Sequence, residues 1–143
     1  MNVATDERRE KFEKRILGPG FGAVLGAKLT HLADGHCRLL LPWRSDLSRG
    51  DALVHGGVIA ALIDKAGTAA AWSYPDLDRL SRGATVAMNV NFLEGAAECD
   101  LLAEARVVRR GGSLSVVDID VSNPDGALVA KGMVTYKISR PRS

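Results

Sequence analysis

The sequence predicts an α+β fold of one domain, in which a single buried helix packs against about six antiparallel strands. Three observations predict it. First, VIAALIDKAGTAAAW, following His55-Gly56-Gly57, is apolar or small on almost every face for about four turns, which reads as a buried helix. Second, residues 84–93, 99–108, 113–122 and 127–138 are four strand-like runs. They are separated by Glu94-Gly95, Arg110-Gly111-Gly112 and Asn123-Pro124-Asp125-Gly126, turn sequences of the kind that join antiparallel neighbours. Third, 143 residues with 46% hydrophobic and 25% charged side chains fit one domain able to bury a core without disulfides or a structural metal.

The remaining elements follow in order. Thr5 or Asp6 can cap a first helix running to about Leu17, with Phe12, Ile16 and Leu17 on its apolar face and Gly18-Pro19-Gly20 ending it. Residues 1–20 are therefore an accessory segment and 21–143 the main domain. Residues 22–41 alternate or run apolar around Ala33-Asp34-Gly35, which predicts a two-stranded hairpin. Residues 43–54 are polar and aperiodic, hence a loop, and 73–83 form a polar connection. The alanines of the central helix, with Gly67, leave room for a sheet or a partner helix to come close, at some cost in helix propensity.

Composition excludes several function classes. A formal net charge of +2 is too small to indicate a nucleic-acid binder, although Lys131, Lys137, Arg140 and Arg142 concentrate positive charge near the C-terminus, compatible with a small anionic ligand. Cys37 and Cys99 stand far apart with no further Cys or His at zinc spacing, so neither a disulfide framework nor a metal site is expected. The opening MNVATDERREKFEKRILG lacks the apolar stretch of a signal peptide, and no run of about 18 apolar residues occurs, so a cytoplasmic protein with no membrane partner is expected. GPGFGAVLG at 18–26 follows a helix and leads toward a strand, the reverse of a dinucleotide-binding glycine run, and there is no Gly-x-Ser-x-Gly elbow.

The sharpest anomaly is Asp64, a carboxylate in an otherwise apolar helix, where desolvation costs several kcal/mol unless the group is paired or hydrogen-bonded. One account is a narrow solvent stripe of Asp64, Lys65 and Thr68; the other is chemistry. His55-Gly56-Gly57 at the helix start favours the second, because the first backbone N–H groups of a helix lack partners and its dipole attracts negative charge. Glycines there let a substrate carbonyl reach those groups. Gly57 and Asp64 are seven residues apart, near one face but roughly 10 Å apart along the axis. They cannot serve one carbonyl within one chain; two such helices antiparallel across a two-fold axis would bring Gly57 of one to Asp64 of the other.

HGGVIAALIDKAGTAAA resembles the His-Gly-Gly helix of hotdog-fold acyl-CoA thioesterases of the phenylacetate-pathway type. The likeness extends from about Gly22 to Ile138 through TVAMNVNFLEGA at 85–96, VVRRGGSL at 107–114 and NPDGALVAKGMVTYKI at the end. The resemblance implies a long helix wrapped by a curved antiparallel sheet, and sites between helices of different subunits in a homodimer or a dimer of dimers. It also implies an acyl-CoA substrate with no cofactor beyond the CoA carried by that substrate. It makes Asp64 the catalytic carboxylate, acting as general base on water or as nucleophile, and Gly57 the N–H donor to the thioester carbonyl, with His55 shaping the turn beside Gly56. Thr85 falls where relatives place a hydroxyl that positions the attacking water. Arg49 stands where many relatives have asparagine, and could neutralise Asp64, bind a carboxylate on the acyl group or point to solvent. Arg109, Arg110, Gly111, Gly112, Ser113 and Leu114 match the turn that lies along pantetheine and nucleotide, where basic groups and free N–H donors suit phosphate. Phe92, Trp43, Trp72 and Tyr74 are candidates for the acyl pocket, which could take an aromatic, medium-chain or long-chain group. A dehydratase of the same fold fits less well, since here the histidine precedes the acid. A hotdog protein that binds acyl-CoA without hydrolysing it is the other reading.

Overall fold

The computed structural model describes residues 2–77 and 80–141, so Arg142 lies outside the described residues. Helix α1, Asp6–Ile16, starts at Thr5, whose hydroxyl accepts the Arg8 N–H at 3.2 Å. Asp6 and Glu7 in its first turn and Lys14 and Arg15 in its last oppose the helix dipole favourably. Its buried Phe12 joins the same core cluster as the rest of the molecule, and the Lys65 ammonium caps its end by donating to the Ile16 carbonyl at 3.3 Å.

The segment expected to open the first strand instead forms a short helix, α2, Phe21–Leu25. Gly26 ends it in the left-handed region at φ 76°, its N–H returning to the Gly22 carbonyl. Gly22 packs so close to the Leu17 carbonyl that a Cβ would lie 2.2 Å from that oxygen, which an extended chain would not require. Alternating residues therefore begin later, with β1, Lys28–Ala33, and β2, His36–Leu41, joined by the two-residue turn Asp34-Gly35. Residues 43–54 hold one 3-10 turn, Ser45–Leu47, and the isolated bridge Ser48↔Val54.

Helix α3 runs Gly56–Trp72, followed by β3, Arg82–Phe92, β4, Leu101–Arg110, β5, Leu114–Ser122, and β6, Leu128–Ser139. All ladders are antiparallel, in the order β1-β2-β4-β5-β6-β3. The turns after β4 and β5 join neighbours, as expected. Glu94-Gly95 does not: β3 pairs with β6 at the far edge, and residues 93–100 cross to β4. Turn residues report a change of direction but carry no information about which strand is met next. The sheet wraps α3, which touches β2 to β6, giving the hotdog arrangement.

Two glycines set how closely helix and sheet approach. A Cβ on Gly67 would sit 2.8–3.0 Å from three atoms of Val134 on β6, and one on Gly132 would sit 2.6 Å from Ile63 Cγ2. It is the sheet, then, that fills the room left by Gly67. Leu62, Ile63, Ala66, Ala69 and Ala70 on α3 face Leu39, Ala103, Ile119, Val121 and Val134 in a fully buried core.

Candidate active site

The start of α3 is built by His55. Its N–H donates to the Leu47 carbonyl at 2.8 Å, its own carbonyl accepts from Val58 and Ile59, and its imidazole Nδ1 accepts the Gly57 N–H at 2.8 Å. The ring thus acts as the N-cap, with its proton on Nε2. Consequently the Gly57 N–H, expected to be free for a substrate carbonyl, is already occupied. The first N–H of the helix, that of Gly56, has no acceptor among the described residues. Phe92 packs against it, its ring 3.5 Å from where a Gly56 Cβ would stand. A cleft of about 320 Å³ opens here, bounded by Arg49, Leu53, Gly56, Ile59, Phe92 and Leu93.

Two turns along, the half-buried Asp64 accepts a hydrogen bond from the Thr85 hydroxyl, Oγ1 to Oδ1, at 2.7 Å. This bond depends on an irregularity in β3. Thr85 pairs with Tyr136 and Ala87 with Thr135, so Val86 is an extra residue, a β-bulge. Thr85 and Phe92 are seven residues apart and would point to opposite faces of a regular strand. The bulge turns both toward α3, Thr85 to Asp64 and Phe92 to Gly56.

Behind Thr85, Tyr136 accepts a hydrogen bond from Trp72 Nε1 at 2.9 Å. Burial pushes its phenol upward, and the negative charge of Asp64 adds to that, while the Trp72 bond opposes it. Gly83 makes this packing possible, since a Cβ there would lie 2.5 Å from Tyr136 and 2.8 Å from Trp72. Tyr136 went unremarked in the sequence; its signal was its even-numbered register, shared with Ala130, Gly132, Val134 and Ile138 along the buried face of β6.

The other expected residues divide. Arg49 pairs with Asp51, Nε to Oδ2 at 3.0 Å, and is half exposed, so it borders the Gly56 cleft without touching Asp64. Asp51 is held below its ordinary value, chiefly by the Leu53 N–H and then by Arg49. Arg110, Gly111, Gly112 and Ser113 line a second cleft of about 230 Å³ together with Arg140. Asp76 ties Arg110 (3.0 Å) and Arg140 (2.7 Å) together, and Arg110 stacks 3.8 Å above the Tyr74 ring. Arg109 and Leu114 are exposed beside this turn. The four aromatics proposed for an acyl pocket do not converge: Phe92 alone reaches the Gly56 cleft, Trp72 closes the opposite end of α3 with Tyr74 just beyond it, and Trp43 packs on the core after β2. Aromatic identity in a sequence does not distinguish these environments.

Residues 52–130 match the model of the thioesterase superfamily. An esterase-named protein of Halobacterium salinarum is 37% identical over 130 residues, covering 85% of each chain. Among solved structures, a mutant thioesterase from Pseudomonas aeruginosa superposes with a TM-score of 0.85 at 21% identity, covering 99% of this chain and 100% of the other. A hypothetical thioesterase from Streptococcus pneumoniae, solved with coenzyme A, does so with 0.73 at 20% identity, covering 97% and 100%. At these identities the two structures establish a shared fold.

Proposed function

The chain belongs to the thioesterase superfamily, and from that premise we propose that it hydrolyses acyl-CoA thioesters to a carboxylic acid and CoA, with Asp64 as general base. The observation that carries this reading is the 2.7 Å bond from Thr85 to Asp64 Oδ1, which orients the carboxylate while Oδ2 takes no hydrogen bond from the described residues. The thioester carbonyl accepts the Gly56 N–H at the positive end of α3; the Gly57 N–H joins it once the His55 ring turns aside. Water attacks the carbonyl carbon as its proton passes to Asp64. The tetrahedral intermediate then collapses with cleavage of the C–S bond, and the proton leaves on the CoA sulfur.

The site is assembled by two subunits. Strand β3 is an 11-residue edge carrying exposed Val86, Met88 and Phe92, an arrangement prone to pair with a second strand. Pairing two β3 edges about a two-fold axis sets the α3 helices antiparallel, so that Asp64 of one subunit approaches Gly56 and Gly57 of the other. We place the homodimer, and any dimer of dimers, in the cytoplasm; among the described residues no helix is long and apolar enough to cross a membrane.

The test is release of CoA from a panel of aryl and aliphatic acyl-CoA esters, with Asp64→Asn run alongside. Turnover of at least one ester, reduced about 10²–10⁴-fold in a folded Asp64→Asn variant, supports the reading. Saturable binding without turnover would replace it with the non-hydrolytic acyl-CoA-binding role that Arg49, in place of asparagine, favours. Single turnover in isotopically labelled water tests the base assignment: label must enter the product in the first turnover, whereas a nucleophilic Asp64 would first deliver its own unlabelled oxygen.

A further inference from the structure

Helix α1 and the exit from α3 enclose a cleft of about 320 Å³ that the proposed chemistry does not use. Its walls are basic and aromatic: Arg8, Lys11 and Arg15 from one face of α1, Trp72 from the last turn of α3, and Tyr74 and Leu77 from the segment leaving it. Arg8 is a fixed wall, donating to the Ser73 carbonyl and lying 3.8 Å from Asp34. Arg15 has no carboxylate partner among the described residues; its guanidinium stands 5.7 Å from the Phe12 ring centroid and 5.9 Å from that of Trp72. Among the described residues Lys11 pairs only with Glu7, and both side chains are more than three-quarters exposed, so that pair is cheap to exchange for another anion.

This cleft adjoins the second basic one. Leu77 lines both, and Tyr74, a wall of the first, carries Arg110 of the second on its ring. Arg8, Lys11 and Arg15 in the first cleft and Arg110 and Arg140 in the second thus form a basic groove of two adjoining parts against Glu7, Asp34 and Asp76, an excess of positive charge beside flat apolar surfaces. That is the chemistry of a nucleotide site, with guanidinium and ammonium groups for phosphate and aromatic faces for a base. The groove also lies within reach of the reacting centre. Trp72 is eight residues, about 12 Å, beyond Asp64 on α3, and the two are linked through Trp72–Tyr136 and Thr85–Asp64.

We propose that the α1 cleft, through Lys11, Arg15 and Trp72, binds the phosphorylated adenosine end of the CoA thioester. This rests on the thioesterase reading and extends it, because it makes α1 part of the substrate site, where the sequence suggested an accessory segment. Lys11→Ala/Arg15→Ala is compared with the parent on an acyl-CoA and on the same acyl group as its N-acetylcysteamine thioester, which lacks the nucleotide. The double variant raises KM for the CoA ester about tenfold, the sum of two exposed ionic contacts, with kcat within about twofold and the truncated ester unaffected. Equal effects on the two esters, or none on either, overturn the proposal while leaving hydrolysis intact.

A titration without turnover separates the two ideas. In a Trp43→Phe background Trp72 is the one remaining tryptophan. Adenosine bisphosphate, the nucleotide end of CoA as a free fragment, must then change its fluorescence saturably, and the response must disappear in the Lys11→Ala/Arg15→Ala variant. A protein that hydrolyses nothing but passes this titration keeps the nucleotide cleft and loses the hydrolytic reading. A response as strong to inorganic phosphate alone, or one unchanged in the variant, overturns the nucleotide assignment.

Discussion

Replacing Gly67 with alanine tests whether the close approach of α3 to the sheet is what holds Asp64 in place. The new Cβ would lie 2.8, 2.9 and 3.0 Å from Val134 Cβ, Cγ2 and Cγ1, all inside ordinary contact distance. Val134 is fully buried on a strand flanked by β5 and β3, so it cannot swing away and the helix must move instead. Alanine gains about 1 kcal/mol of helix propensity over glycine, whereas overpacking a core costs about 1–3 kcal/mol. With three clashing atoms on an immobile neighbour the upper end applies, for a net loss of about 2 kcal/mol. Val134→Ala alone removes two buried methyls and costs about 2 kcal/mol. In the double variant two of the three clashes, those with Cγ2 and Cγ1, are gone and only the Cβ contact remains, so the losses fall short of their sum by about 1 kcal/mol. Urea unfolding of the four proteins measures this. Because Gly67 is one turn from Asp64, esterase activity should fall in Gly67→Ala and partly return in the double variant. A Gly67→Ala protein more stable than the parent, or strictly additive losses, would refute the argument that the Gly67–Val134 contact sets the helix position.

Thr85→Val should lower kcat about 10-fold by removing a hydrogen bond to a charged group, worth about 1.5 kcal/mol at this partly exposed site, while Thr85→Ser retains activity; equal loss in both variants would mean the hydroxyl is not what matters. Burial holds His31 and His36 below their ordinary value of 6.5, aided by the charges of Arg38 and Arg106 respectively and opposed by Glu104. The unfolded chain therefore binds more protons, so stability is full above about pH 6.5, declines as pH falls below it, and stops declining once the folded rings protonate. His36→Gln should flatten that slope in unfolding titrations between pH 7 and 5. Burial pushes the Cys37 thiol up to about 12, and its Sγ lies against the Ala66 carbonyl. A thiol-alkylating reagent at neutral pH should therefore label only the half-buried Cys99 until the protein unfolds, which mass spectrometry would show.

Much of the fold was legible because its elements obey local rules. Apolar continuity marked α3, Asp34-Gly35 marked the first hairpin, and the 110–112 and 123–126 turns marked two more. Where the sequence misled, a contact outside the periodic run had decided. GAVLG alternates like a strand, but Gly22 against the Leu17 carbonyl and left-handed Gly26 make it a helical turn. Glu94-Gly95 looks like a hairpin turn, but β3 finds its partner in β6, some forty residues later.

The same distinction runs through the site. Asp64 was legible from its cost in an apolar helix, and Gly56-Gly57 from the needs of a helix start, since both signals are local. Which glycine offers its N–H was not, because it depends on the rotamer of His55, whose Nδ1 takes the second. Nor could period-two reasoning put Thr85 and Phe92 on one face, because their odd spacing forbids it in any strand without the bulge at Val86. That bulge is therefore the step between sequence and chemistry: it takes up the one residue that makes the Thr85–Phe92 spacing odd. Deleting Val86 would leave the two six apart, an even spacing that keeps both on the α3 face of a regular strand. A Val86 deletion that folds should thus retain both the Thr85–Asp64 bond and the Phe92 wall, and lose less activity than Thr85→Val does. Activity below that of Thr85→Val would mean that the local bend of the bulge, and not the parity it restores, brings Thr85 to Asp64.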